Sequence, residues 1–274
     1  METTGEQQAT MDPHHHHHHQ EDLGQAWGGF AGHTSSGLAF LLLGNWFAYN
    51  TCLEWWRAEA QGKAFHTRAS FQEGWTRPWE TLAKLSVTLA YALGEVVTGC
   101  CDGGSFMNNA QHITMCALFL INGLADLLVF YRLPVPHHLQ FLTGSFAFWG
   151  ESFLFSNHSH GMSALFQHTH ALLYLPSYMA AGIFFLEVVV PRVWLFPALR
   201  NLAISLHGSW LVHSAFILYS EEVGLQAWQE DSSLMVLPML FAWHLIAHLF
   251  LHTLWLYITR KRGGGTKANT VYSR

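Results

Sequence analysis

Seven apolar blocks divide this chain, and they constrain its fold more than any other feature of the sequence. Each block is about 18 to 25 residues long, the length of α-helix that crosses the hydrocarbon core of a bilayer. Only 11% of the 274 residues are charged, whereas a soluble domain carries about 25%. The blocks therefore predict an all-α, polytopic membrane helix bundle. The seven predicted transmembrane helices are 36–54, 80–100, 110–131, 137–156, 165–190, 193–219 and 234–258.

The positions of lysine and arginine predict how this bundle is oriented. All 13 of these residues fall on one side of the predicted map. Lys84 and Arg200 lie inside predicted helices, but close enough to that side for their charges to reach the headgroups. Because cytosolic loops are enriched in lysine and arginine, we expect the N-terminus on the outer or lumenal face and the C-terminus in the cytosol.

Polar segments flank the predicted bundle. We expect residues 1–30 to form a disordered polar arm, whose run His14–His19 is either an expression tag or a natural low-complexity tract. This arm has no basic stretch followed by an apolar core, so no cleavable signal peptide is predicted. Residues 31–259 are the predicted seven-helix transmembrane domain, and 260–274 a short basic cytosolic tail. A plasma membrane or secretory-pathway membrane would hold such a chain.

The charge of the chain excludes one large class of partner. The formal net charge is -5, and the basic residues are scattered among short loops. A nucleic-acid-binding protein concentrates its basic residues in a patch or stripe, so we expect no nucleic-acid partner. Membrane lipids are the partners that the composition does predict.

Ionisable side chains recur near the predicted outer face. Such a residue at the bilayer centre costs about 2.5 to 3.5 kcal/mol, so it usually faces the bundle interior or a cavity. Glu95 and Glu151 fall in the outer halves of two helices, where no basic side chain can pair with them. Histidines are frequent in the same region, and imidazole with carboxylate is a ligand set that zinc favours. These residues predict a shared site for zinc or another divalent metal.

Other interpretations of the histidines stay open at this point. They could hydrogen-bond across helices as polar packing contacts, each worth about 0.6 to 2 kcal/mol. His244, His248 and His252, four residues apart, could instead face haem if other histidines opposed them.

Several short motifs resemble the transmembrane protein 45 family. They are Leu93–Glu95, Gln111–Met115, Asn122–Asp126, Gly150–Phe153, Asn157–Gly161, His170–Leu173, Gly208–Trp210 and Trp243–His244. The similarity runs from Gly32 over nearly the whole remaining chain and implies a multi-pass membrane protein without implying a reaction. The family's polar positions fall on the candidate metal ligands Glu95, His112, Glu151, His158, His160, His170 and His244. His168 and His207 depart from the family pattern and are left out of the predicted site.

Three classes of function follow from these residues. The first is a membrane protein of unassigned activity that holds a divalent metal near its outer face. If it is an enzyme, metal-bound water would hydrolyse a lipid amide or ester, with Glu95 or Glu151 as general base. The second is a proton or metal-ion transporter or channel lined by Glu95, Glu151 and His244, although the cytosolic halves of the helices offer few polar residues. The third is a non-enzymatic receptor or scaffold.

Overall fold

A computed structural model of the chain describes residues 29–101, 106–159, 161–226, 228 and 230–263. Within these ranges the chain forms seven long α-helices and one 3-10 helix, and no strand. The long helices are α1 (Phe30–Gln61), α2 (Trp79–Cys101), α3 (Phe106–Phe130), α4 (Leu139–His158), α5 (Ala164–Val189), α6 (Leu195–Leu218) and α7 (Glu230–Gly263), and the 3-10 helix is Ser220–Val223. The all-helical prediction is confirmed, with one helix for each apolar block.

The first and last helices are longer than the sequence predicted. α1 continues past residue 54 to Gln61, where Gly62 adopts a φ of 63° and its N–H donates to the Glu59 carbonyl. α7 continues to Gly263, so the basic residues at 260–262 belong to a helix instead of the predicted tail. Hydropathy marks where apolar residues end, whereas a glycine in the left-handed conformation is a common signal for where a helix ends.

Three helices in the described part of the chain are long and apolar enough to cross a membrane. These stretches are 109–130 in α3, 164–189 in α5 and 234–263 in α7. The finding supports a helical membrane protein.

The helices form an open ring in which α1 and α2 are not closely packed. Contacts link α2 to α3, α3 to α4, α4 to α5, α5 to α6 and α6 to α1, while α7 lies against α1, α5 and α6. α1 touches α2 only marginally. A gap therefore remains between the first two helices.

Glycines bring α1 and α6 into backbone contact. A Cβ atom on Gly37 would lie 2.7 Å from the Val212 backbone nitrogen, and one on Gly44 would lie 2.7 Å from that of Ser205. A Cβ atom on Gly208 would lie 2.7 Å from the Gly37 carbonyl oxygen. Small residues allow helices in membranes to approach this closely, so these three glycines fix how α1 and α6 pack.

One end of the bundle collects basic side chains and is called the basic end here. The fully buried Arg200 donates to Glu187 at 2.7 Å and to the backbone carbonyl of Arg68 at 3.0 Å. Its guanidinium also lies 4.8 Å from the centre of the Phe184 ring. On the other side of this end, the Lys84 ammonium pairs with Asp126. The Arg200 contact joins the loop between α1 and α2 to α6, and the Lys84 contact joins α2 to α3.

The opposite end, called the histidine end, carries His33, Glu95, His112 and Glu151. No lysine or arginine is present there among the described residues. The first backbone N–H of α1, on Phe30, donates to the Glu222 carboxylate at 3.1 Å. Partial burial raises the pKa of this carboxyl above its usual value, and the bond from Phe30 opposes that rise.

Candidate functional site: a cavity between the first two helices

A cavity of about 730 Å³ occupies the gap between α1 and α2. Pockets for small organic ligands usually measure about 300–1,000 Å³, so this one can hold a whole ligand. Its lining on α1 runs from His33 to Phe47, which is about 21 Å at 1.5 Å per residue. That length is roughly two thirds of a hydrocarbon core about 30 Å thick.

Apolar side chains form most of the cavity wall and reach its mouth. The inner wall includes Phe40, Met115, Phe119, Phe148 and Ile204. At the mouth, Leu42 of α1 and Val87 of α2 also line the cavity, and they are 70% and 50% exposed. The cavity therefore opens sideways between two helices, through an apolar mouth.

A buried carboxylate–imidazole pair stands at the histidine end of the cavity. His112 Nδ1 lies 3.0 Å from Glu95 Oε1, and the Glu95 side chain is fully buried. His112 lines the cavity, as does Tyr91, whose hydroxyl lies beside Glu95. The backbone of Glu95 is held by Asn109, whose side-chain amide donates to its carbonyl at 2.9 Å. The structure thus brings together two of the predicted site residues.

A second carboxylate–imidazole pair lies on the wall formed by α4, α5 and α6. Glu151 lines the cavity, accepts a hydrogen bond from Ser177 at 2.6 Å and lies 3.4 Å from His207 Nε2. His207 Nδ1 lies 3.1 Å from the Leu173 carbonyl, so this nitrogen carries a proton. Nε2 is then protonated only in the imidazolium form. The pair thus places an imidazole Nε2 beside the Glu151 carboxyl group at the cavity wall.

The basic end of the cavity is lined by Glu80 and Lys84. Glu80 Oε2 accepts from Trp46 Nε1 at 2.9 Å and from the Phe71 backbone N–H at 3.1 Å. The Lys84 ammonium pairs with Asp126 and lies 3.6 Å from Glu80 Oε1. Polar groups therefore mark both ends of an otherwise apolar cavity.

His170 packs behind the histidine end. It is almost fully buried, its Nδ1 lies 3.0 Å from the Phe166 carbonyl, and its ring stacks on the Phe166 ring at 4.0 Å. The His170 ring also lies edge-to-face with the His33 ring, with 6.0 Å between their centroids, and His33 lines the cavity. His170 therefore supports the site through His33.

His244 belongs to a separate chain of polar groups between α6 and α7. Its Nε2 lies 2.8 Å from His213 Nδ1, and its Nδ1 lies 3.0 Å from Ser209 Oγ. The same hydroxyl lies 2.8 Å from His248 Nε2. One turn further on, the His252 ring lies 6.2 Å from that of His248. None of these residues lines the cavity.

The seven predicted metal ligands are therefore distributed over two regions. Glu95, His112 and Glu151 stand around the cavity, with His170 behind it, whereas His244 lies between α6 and α7. The side chain of His158 and the whole of His160 lie outside the described residues. Among the side chains that the structure does describe, no three of His, Cys, Asp or Glu are grouped to hold a metal ion. The metal site stays a prediction.

Sequence reasoning missed His207, Ser177 and Tyr91. Ser177 and Tyr91 are ordinary residues in apolar helices, and nothing in the sequence marks them. For His207 a signal was present, because Arg200, His207 and Ser214 recur every seven residues and therefore share one helix face. All three are fully buried.

Comparison with known proteins agrees with the resemblance seen in the sequence. Residues 137–258, which include Glu151, His207 and His244, match a family of unknown function (DUF716). The chain is 25% identical over 177 residues to human transmembrane epididymal protein 1. This match covers 59% of the chain and 64% of the human protein, less than two thirds of that relative's length. The resemblance to known multi-pass membrane proteins is confirmed, and the chain is a helical membrane protein that is similar to transmembrane epididymal protein 1 and matches, over α4 to α7, a family of unknown function.

Proposed function

We propose that this chain is a multi-pass membrane protein that takes up one lipid-like molecule, with a long apolar chain and a polar headgroup, into the cavity between α1 and α2. The observation that carries the proposal is the sideways, apolar mouth at Leu42 and Val87. A lipid chain can enter through it from the bilayer without contacting water. A water-soluble ligand would have to cross the apolar phase first.

The shape and lining of the cavity support a ligand with one polar end. The lining follows α1 over about 21 Å at 1.5 Å per residue; it is apolar from Ala39 to Phe47, and polar groups are concentrated towards the two ends of the cavity. A few fixed polar groups in an apolar pocket usually orient the ligand. The carboxylate–imidazole pairs Glu95–His112 and Glu151–His207 are the groups that would hold the headgroup at the histidine end.

A cavity-filling substitution tests this binding. A photoactivatable single-chain lipid probe should label the purified protein saturably, and mass spectrometry should place the label on cavity-lining residues. Ala39→Trp would fill the cavity from α1, whereas Ala247→Trp adds the same ring to an exposed site on α7. We expect Ala39→Trp to abolish saturable labelling and Ala247→Trp to leave it unchanged. Equal labelling of both variants would contradict the proposal.

The proposal includes seven membrane spans, with the histidine end outside or lumenal and the basic end cytosolic. The gathering of Arg68, Lys84, Arg200 and Arg262 at one end supports this orientation. Two variants test this orientation. Each carries a flexible insert with a glycosylation acceptor, one at Gly74 and one at Gly224, which are both exposed glycines in turns. We expect glycan only on the Gly224 insert. Glycan only on the Gly74 insert would show that the orientation is the reverse of the one proposed.

A divalent metal at the histidine end remains a proposal that rests on ligand chemistry. His112 and Glu151 face the cavity there, and neutral imidazole with carboxylate suits zinc. Elemental analysis of protein lacking His14–His19 should find stoichiometric zinc, and a His112→Ala variant should lose it. If the purified protein contained no metal, both zinc binding and metal-dependent hydrolysis would be excluded as functions.

Proton transfer between α6 and α7 is the second candidate function, because His213, His244, Ser209 and His248 form an unbroken hydrogen-bonded chain. Imidazole and hydroxyl groups can each accept and donate a proton. In proteoliposomes with a pH-sensitive dye, we expect a proton leak that His244→Phe removes. An equal leak in Ala247→Phe and His244→Phe vesicles would exclude this path.

A further inference from the structure

The charges around the cavity are predominantly negative. Its charged lining residues are Glu80, Lys84 and Glu151. Two further carboxylates stand directly behind lining residues: Asp126 contacts Lys84, and Glu95 contacts His112. Four carboxylates thus lie in or directly behind the cavity lining, against one lysine, so the cavity attracts cations more strongly than anions.

The lysine is already neutralised by its neighbours. Its ammonium contacts Asp126 and lies 3.6 Å from Glu80 Oε1. Glu80 Oε1 is buried and has no hydrogen-bond partner. An anionic headgroup at this end would approach two carboxylates together with the ammonium. Such a placement is unfavourable, because like charges in a site of low dielectric repel strongly.

The nearby arginine offers no alternative for an anion. Arg200 stands behind Phe47 and Phe184 of the cavity wall and is itself fully buried. Its guanidinium donates to Glu187, Asn201 and the Arg68 carbonyl. The described wall of the cavity therefore contains no cation that is available to pair with a ligand carboxylate or phosphate.

The histidine end provides a carboxylate and aromatic rings, which are groups that bind cations. Glu151 presents a carboxylate to the cavity, and its neighbour His207 holds it only loosely, at 3.4 Å. The rings of Phe40, Tyr91 and Phe155 line the same region. Aromatic faces attract ammonium groups. A ligand ammonium in this region can pair with Glu151, whose close partner within the protein is the Ser177 hydroxyl at 2.6 Å.

We propose that the cavity prefers a single-chain amphiphile with a cationic headgroup, a long-chain amine or quaternary ammonium, and that this headgroup pairs with Glu151. The inference rests on the proposed lipid-binding function and names the class of its ligand. It assigns recognition of the headgroup to Glu151 and recognition of the chain to the apolar wall.

Competition between headgroups on one chain length tests the inference on the unmodified protein. A photoactivatable C18 alcohol would serve as the neutral probe, with octadecylamine, octadecyltrimethylammonium and stearate as competitors at equal mole fraction in a non-ionic detergent. We expect both cations to displace the probe at about tenfold lower concentration than stearate, because tenfold corresponds to about 1.4 kcal/mol. Stearate competing as well as the cations would overturn the inference and leave the proposed function intact. Absence of saturable labelling by the neutral probe would overturn the proposed function itself.

Charge-removing variants locate the headgroup. Glu151→Gln keeps the size of the side chain and should abolish the tenfold preference for the cations over stearate, measured as the ratio of their competing concentrations. Glu54→Gln is the matched control, because Glu54 pairs with Arg57 at the surface of α1 and does not line the cavity. Loss of the preference in Glu80→Gln but not in Glu151→Gln would overturn the assignment to Glu151.

Discussion

The two sides of α1 differ in how closely they are packed. On one side, Gly37 and Gly44 lie against α6 with no room for a side chain. On the other, the same helix faces a cavity of about 730 Å³ and scarcely touches α2. One helix is thus fixed by its backbone on one side and still leaves ligand-sized space on the other. The closed side positions α1, and the open side is available for function.

The polar groups differ between the two sides in the same way. Away from the cavity, Arg200 is paired with Glu187 and Asn201 with Thr51. On the open side, polar atoms such as Glu80 Oε1 and His207 Nε2 are buried without a hydrogen-bond partner. Natural structures rarely leave buried polar groups unsatisfied without a reason. The polar headgroup of a bound ligand would be such a reason, because it could contact these atoms.

The largest effect is expected from closing the space between α1 and α6. Gly208→Leu would place a side chain against the backbone of α1, where even a Cβ atom would lie 2.7 Å from the Gly37 carbonyl oxygen. We expect no monodisperse folded protein in fluorescence-detected size-exclusion chromatography. Gly182→Leu is the control, since a Cβ atom there meets nothing within 4 Å. Normal folding of the Gly208 variant would disprove the backbone contact.

A smaller effect is expected from unpairing the buried charges at the basic end. Arg200→Met leaves the fully buried Glu187 without its partner, and such a loss typically costs about 3–5 kcal/mol. The double variant Arg200→Met, Glu187→Met should recover much of this stability because no buried charge remains. Thermal unfolding of the single and double variants in the same detergent would measure the difference. Equal destabilisation by both would show that packing around Arg200 matters more than its charge.

The smallest effect on stability is expected on the open side. Ala90 lines the cavity and is exposed, so Ala90→Trp should change the free energy of unfolding by no more than about 0.5 kcal/mol, as surface substitutions usually do. Lipid binding should nevertheless fall sharply. A large loss of stability would mean that α2 packs against α1 more tightly than the cavity allows.

The sequence predicted the helices well because a bilayer-length apolar block has few alternative structures. It predicted their ends less well at Gln61 and Gly263, because charged residues can continue a helix beyond the apolar region. Glu95 and His112 were both predicted for one site, and they are in contact.

Other parts of the site depend on which helices are neighbours. His244 was grouped with Glu151 because both fall on polar positions of the family pattern, but it faces α6 and pairs with His213. Ser177 was not predicted, because only the packing of α4 against α5 brings it to Glu151. The cavity itself results from the sparse contact between α1 and α2, which no local pattern encodes.

The pairing of α1 with the end of the chain has a consequence for biosynthesis. Thr51 accepts a hydrogen bond from Asn201, 150 residues later, and Trp56 donates one to the Leu256 carbonyl, 200 residues later. At translation rates of about 5–20 residues per second, α1 would wait roughly 8–30 s for the first of these partners. During that time its glycine-rich face is uncovered, so the nascent chain offers membrane chaperones and quality-control proteases a defined first helix to recognise.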